Sequence, residues 1–160
     1  GYKEGDGGTD PNNPAATHWP LVSGTTEAWK IVSQGAQGHP YHIHVSPFWV
    51  QAICSNNPAT IEDCTVDTAR TEALDRWQDT LYLPTGYSAF VRYRIPADDL
   101  FQGVFVLHCH FLQHEDRGLM MNSMIVGDAV TDPVATFEAH VADNDAINQA
   151  INGTAVSHSH

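Results

Sequence analysis

The chain has 160 residues, 42% of them hydrophobic, which is the size of one domain with material for a single core. Seven basic residues against nineteen acidic ones give a formal net charge of −12; that sign repels phosphate backbones and anionic lipid, so nucleic-acid and membrane-surface roles are not expected. No apolar run approaches the roughly 20 residues that span a bilayer, and the opening GYKEGDGG has no hydrophobic signal core, so the chain reads as soluble with any signal removed.

Residues 1–18 are rich in Gly, Asp, Asn and Pro and nearly empty of apolar side chains, so a surface arm or linker is expected there. From residue 28 short apolar segments alternate with turn residues, and 28–33, 41–45, 48–53, 79–84, 87–95, 103–110 and 121–127 are expected strands. In the fifth of these, Tyr87, Ala89, Val91, Tyr93 and Ile95 alternate with Ser88, Arg92 and Arg94, the two-residue period of a half-buried strand. Such a succession implies an all-β, antiparallel sandwich over 19–130. After Pro133 the period lengthens: Val134, Phe137, Val141, Ala146, Ile147 and Ile151 recur at helical spacing, with Asp132 as N-cap and Pro133 in the first helical position. One helix or two over 133–151, ending in a flexible tail, would make 131–160 a short helical extension. Asn152-Gly153-Thr154 fits a glycosylation acceptor, a pattern short enough to recur by chance.

Three cysteines cannot all pair within one chain. Cys54 and Cys64 flank the polar stretch SNNPATIED, and a disulfide closing that loop is expected to stabilise the fold by about 2.5–3 kcal/mol. It implies an oxidising compartment, extracellular or periplasmic. Cys109 is left over, and its surroundings are unusual. Six of the ten histidines fall in two clusters, His39-Pro-Tyr-His42-Ile-His44 and His108-Cys109-His110-Phe-Leu-Gln-His114. At this composition the two patterns coincide in about one chain in 10⁴ to 10⁵.

Strand geometry gives the spacing a meaning. Side chains alternate, so His108 and His110 project to one face of their strand and Cys109 to the other. His42 and His44, also two apart, can meet the 108/110 pair across the sheet. His39 lies before its strand and His114 beyond the other, each free to turn toward the sulfur. Two imidazoles and a thiolate with a weak axial group make a blue-copper electron-transfer site, and four imidazoles on the opposite face make half of a second, histidine-only site. A structural zinc site would want four closed ligands and CxxC spacing, which is absent. A Cys-His catalytic pair would leave five of the motif histidines idle. Six ordinary histidines on two adjacent strands would be costly to bury without a metal.

HPYHIH and HCHFLQHEDRGLM, with the flanking TTEAWKIVSQGAQ and VFVLHCH, resemble the copper signatures of the last cupredoxin domain of multicopper oxidases, the laccase and bilirubin-oxidase-like family, over about residues 18–127. The resemblance implies a cupredoxin-like Greek-key β-sandwich. By position it assigns His39, Cys109 and His114 to a type 1 copper, and His42, His44, His108 and His110 to a trinuclear copper cluster, His42 on its type 2 ion. The axial position, five residues after His114, falls on Leu119, where many bacterial members carry methionine. Met120 follows and would be axial only after a one-residue shift. Leucine cannot ligate and should raise the copper potential; about 100 mV would correspond to roughly 2.3 kcal/mol per electron. The residue after the last histidine, here Glu115, is implicated in the family's proton relay, and Asp116 is its neighbour; capping or salt bridging is the ordinary role for either carboxylate.

The family's cluster takes eight histidines, four from another cupredoxin domain. This chain therefore implies a partner: a second cupredoxin domain or chain, or copies of itself in a homo-oligomer. His18, His140, His158 and His160 stand outside the motifs, and the H-x-H of the last two reads as a solvated tail. The expected function is an oxidase that takes single electrons from a small reducing substrate, organic donors first, and reduces dioxygen to water. A single-domain cupredoxin that only transfers electrons is the alternative, and copper storage a third.

Overall fold

The computed structural model describes residues 19–146 apart from 98, 118, 137, 141, 144 and 145. The polar arm, His18, the acceptor pattern at 152–154, and the tail with His158 and His160 lie outside the described residues. In chain order the strands are β1 (Trp19–Val22), β2 (Thr26–Val32), β3 (His39–Ile43), β4 (Phe48–Cys54), β5 (Trp77–Gln78), β6 (Thr80–Leu83), β7 (Ser88–Arg94), β8 (Gly103–Cys109) and β9 (Met120–Val126). A one-turn helix, α1 (Leu112–Glu115), joins the last two.

Two sheets face each other, ordered β1-β9-β8-β3-β6 and β2-β7-β4-β5. This is the expected all-β sandwich, and each of the seven expected segments contains a strand. The pairings are antiparallel except β1 with β9, which run parallel. β1 and β5 carried no readable alternation: β1 is four residues long and contains a proline, which an edge strand tolerates where no ladder donor is required. Leu21 of β1 is nonetheless fully buried, a consequence of its pairing with β9.

Burial follows the two-residue period from Ala89 to Ile95, but Ser88, expected on the outward side, is fully buried, its hydroxyl donating to the Asn56 carbonyl at 2.9 Å. Ala89, Val91, Tyr93 and Ile95 are buried, whereas Arg92 and Arg94 are exposed. In β4 the alternation breaks, because a bulge between Val50 and Ala52 adds a residue, and Val50 and Ile53 both reach the core. The run GVFVLHC, apolar on nearly every position, is split by its pleat: Phe105, Leu107 and Cys109 point inward, while Val104 remains 45% exposed. Trp29 stacks on Tyr93 with ring centroids 5.0 Å apart, tying the β2–β7 edge into the core. Burial raises the Tyr93 phenol to about 12.

Past β9, Asp132 caps the extension as expected: its Oδ1 accepts from the Ala135 N–H at 3.0 Å and its carbonyl from Thr136 at 3.1 Å. Residues 133–136, 138–140 and 142–143 are helical. Cys54 and Cys64 form the expected disulfide, their Cα atoms 5.3 Å apart and Cys54 fully buried at the end of β4. Replacing both cysteines by alanine should lower unfolding stability by about 2.5–3 kcal/mol in a denaturant titration, the loop-closure contribution.

Candidate metal centre

β8 is central in its sheet, with β3 on one side and β9 on the other. Tyr41 lies opposite Cys109, and His42 opposite His108. Directly opposed residues share a face, so this register fixes which side chains meet.

On the core face, His39, Cys109 and His114 bring their ligand atoms within 4.8 Å of one another. The sulfur is 3.5 Å from His39 Nδ1 and 3.3 Å from His114 Nδ1. Cys109 is 2% exposed and lies outside the disulfide. The chain leaves β8 at Cys109 and coils once: the Phe111 carbonyl accepts from His114 and Glu115, which folds His114 back over the sulfur. The His39 ring is held from behind, because its Nε2 lies 3.0 Å from the Gln34 carbonyl. A carbonyl only accepts, so Nε2 carries the proton and Nδ1 turns its lone pair to the sulfur.

Leu119 is tied to this group through its backbone. Its carbonyl accepts from the Cys109 N–H at 3.1 Å, its own N–H donates to the His114 carbonyl at 2.9 Å, and its side chain is 3% exposed. Met120 lies opposite His108. The methionine thus belongs to the His108 face and Leu119, one residue earlier, to the sulfur face.

On the outer face, His42, His44 and His108 form a second group with ligand atoms within 4.8 Å. His44 Nε2 and His108 Nε2 are 3.3 Å apart. His110 adjoins them, its ring centroid 5.3 Å from that of His42 and 5.5 Å from that of His108. The same acceptor logic fixes two tautomers: His42 Nδ1 is 2.9 Å from both the Asp79 carbonyl and the Thr80 hydroxyl, and His108 Nδ1 is 3.1 Å from the Cys109 carbonyl. Both rings therefore offer Nε2 as a lone pair. Desolvation, then the neighbouring His42 and His108, hold His44 below the ordinary imidazole range, with Glu115 opposing. A neutral imidazole is the metal-binding form.

His44 differs from its sequence reading. It lies just past β3 rather than within it, because Val45 takes φ 75° and the Ser46 N–H donates to the His44 carbonyl, a tight three-residue turn. Its N–H still bonds the Val106 carbonyl at 3.1 Å, so alternation keeps its ring on the His42 side, against His108, and the turn ends the strand there; His39, expected ahead of the strand, is instead its first residue. Of the two acids, Glu115 brings Oε2 to 3.7 Å from His108 Nδ1, while Asp116 is exposed at the end of α1. Gln34, Asp79 and Thr80 were not anticipated. Two of the three act through backbone carbonyls, which leave no trace in residue type. An open cavity of about 550 Å³ lined by His42, His44, Trp77 and Asp79 adjoins the outer group.

The donor sets fit copper: two imidazoles and a buried thiol on one face, lone pairs of neutral imidazoles converging on the other. Among curated relatives, a laccase of Haloferax volcanii is 29% identical over 80% of this chain and 20% of its own length. Bilirubin oxidase of Albifimbria verrucaria is 30% identical over 66% of this chain and 17% of its own length. A multicopper oxidase from Campylobacter jejuni, described as a metallo-oxidase, superposes with a TM-score of 0.53 at 24% identity, covering 69% of this chain and 20% of that one, and so shares the fold. The chain spans about a fifth of the length of the curated relatives it matches. A family model described as multicopper oxidase matches residues 3–128, reaching into the stretch whose composition suggested an arm, and with that match the chain belongs to the multicopper oxidase family.

Proposed function

We propose that this chain, an oxidoreductase of the multicopper oxidase family, is the laccase-like portion that holds a type 1 copper on His39, Cys109 and His114 and supplies His42, His44, His108 and His110 to a trinuclear cluster, His42 on its type 2 ion. The observation that carries the reading is the two-sidedness of β8: a thiol in one ligand group and imidazoles in the other, on consecutive residues. When bound, the copper ions supply one-electron oxidation on the thiolate side and dioxygen reduction on the histidine side.

The protein's own groups do the rest. Cys109 and its neighbours His108 and His110 form one covalent path between the two faces. Glu115, its Oε2 3.7 Å from His108 Nδ1, would relay in turn the protons that reduction of dioxygen to water consumes, a role its position supports better than that of Asp116. Leu119 occupies the axial position and excludes water from the sulfur; the pairing of Met120 with His108 supports this over a methionine ligand. A small organic reductant would approach beside His114, where Phe111 and Leu112 are 40% and 72% exposed. The disulfide supports an extracellular or periplasmic location. Residues 19–130 form the cupredoxin domain of this reading, and 131–160 its extension.

Copper quantitation with electron paramagnetic resonance tests the assignment: about four coppers per active unit are expected, with one per chain pointing to an electron carrier instead. Cys109→Ser should abolish the intense blue absorption, which comes from thiolate-to-copper charge transfer, and leave the fold intact by circular dichroism. A variant that stayed blue would remove Cys109 from the ligand set.

Leu119→Met should lower the type 1 potential by on the order of 100 mV, because a thioether donates density that favours Cu(II). Redox titration reads this directly, and an unchanged potential would mean that residue 119 does not face the metal.

The outer group is incomplete, and its surroundings support a partner. His110 is exposed, and Tyr82 and Val104, on the same face by register, are each 45% exposed. A second cupredoxin domain or chain is the favoured partner, a ring of identical chains the other closed arrangement. The isolated 17.5 kDa chain should therefore not turn over dioxygen. Size-exclusion chromatography with light scattering beside an oxygen-uptake assay checks this, and a turning-over monomer would overturn it.

A further inference from the structure

Gly38 precedes His39, is buried, and lies where β3 approaches the end of β6. A Cβ at this position would stand 2.5 Å from the Tyr82 hydroxyl, 2.7 Å from the Leu83 carbonyl oxygen and 2.9 Å from the Pro84 Cα. Real Cβ contacts do not fall below about 3.0 Å, and two of the three neighbours are backbone, which cannot swing aside. Leu83 is itself 1% exposed and paired with His39, so β6 is held in place by the core. An added atom would therefore force Gly38 and the end of β6, an edge strand hydrogen-bonded to β3 alone, apart and strain the start of β3.

The adjoining residue has no slack to absorb that movement. His39 is fixed at both ring nitrogens, Nε2 on the Gln34 carbonyl at 3.0 Å and Nδ1 facing the Cys109 sulfur at 3.5 Å. We infer that Gly38 is a positioning residue for the type 1 site: its missing side chain lets β3 close on β6, and that approach sets the distance from His39 to Cys109. The inference rests on the proposed copper assignment and deepens it.

The test is Gly38→Ala in the full chain loaded with copper, read by the blue absorption band, the type 1 electron paramagnetic resonance signal and chelator competition. Gly127→Ala is the control, since its Cβ would meet only the Gln102 side chain at 3.4 Å or more. Gly38→Ala should shift the band and the hyperfine splitting and weaken copper retention by about tenfold, whereas Gly127→Ala should match the parent. His39→Gly supplemented with imidazole separates positioning from general damage. There the ligand is no longer tethered to the backbone, so adding Gly38→Ala should leave the rescued spectrum unchanged. Gly38→Ala/Tyr82→Ala removes the hydroxyl contact but keeps both backbone contacts; it should show the same spectral change, and it serves if the single variant does not fold. An unaltered spectrum and copper affinity in a folded Gly38→Ala protein would overturn the inference, as would a disturbed rescued spectrum. A parent protein with no blue band would instead overturn the copper assignment.

Discussion

The pleat of β8 is the constraint on which the rest depends. A strand cannot present consecutive side chains to one side, so the order His-Cys-His commits the sulfur to the interior and the imidazoles to the exterior. Phe105 and Leu107 continue the inward set and anchor Cys109 in the core. The neighbouring strands inherit the division: Tyr41 and Leu119 fall on the sulfur side, His42 and Met120 on the other. A slip of one residue in either pairing would exchange these sets. The buried core therefore does more than stabilise the sandwich; it determines which atoms can share a metal.

Register also chooses the tautomers. His39, His42 and His108 each direct one ring nitrogen at a main-chain carbonyl, of Gln34, Asp79 and Cys109 respectively. Because a carbonyl cannot donate, each contact places the proton on that nitrogen and frees the other for a metal. These acceptors sit where strand pairing and turns leave them, so orientation of the ligands needs no extra polar side chain inside the core. Val45 shows the opposite economy. A β-branched residue at φ 75° costs on the order of 1–3 kcal/mol, and the strained turn it occupies ends the strand directly after His44.

How far the sequence could be read follows from the same distinction. Features with a fixed period were legible: the alternation of 87–95, the two-sidedness of 108–110, the Asp132 cap, and the cysteine pair across a short polar loop. Every residue of the two proposed ligand groups stood out by type and spacing, and the six motif histidines and Cys109 converge as two groups with His110 adjoining. What stayed hidden depends on long-range pairing. β1 is defined by β9, a hundred residues later; the end of β3 is set by a turn at Val45; and the carbonyls behind the histidines carry no signature of residue type. The choice between Leu119 and Met120 is of this kind, since only the β8–β9 register separates adjacent residues by face.

The two groups differ in what they require from outside. At the sulfur, Cys109 and Leu119 are almost fully buried, and His39, His114 and the returning turn of α1 surround the thiol with residues of this chain alone. The histidine group sits on the outward side of the same sheet, with His44 and His110 exposed and an open cavity beside it. A thiolate site must be shielded to keep its donor set and its potential, and this sandwich does that by itself. A multinuclear site needs more donors than one sheet face offers at this spacing, and it needs access for dioxygen and protons. On the proposed reading, the fold finishes the site that the core can enclose and leaves at the surface the one that a second surface would complete.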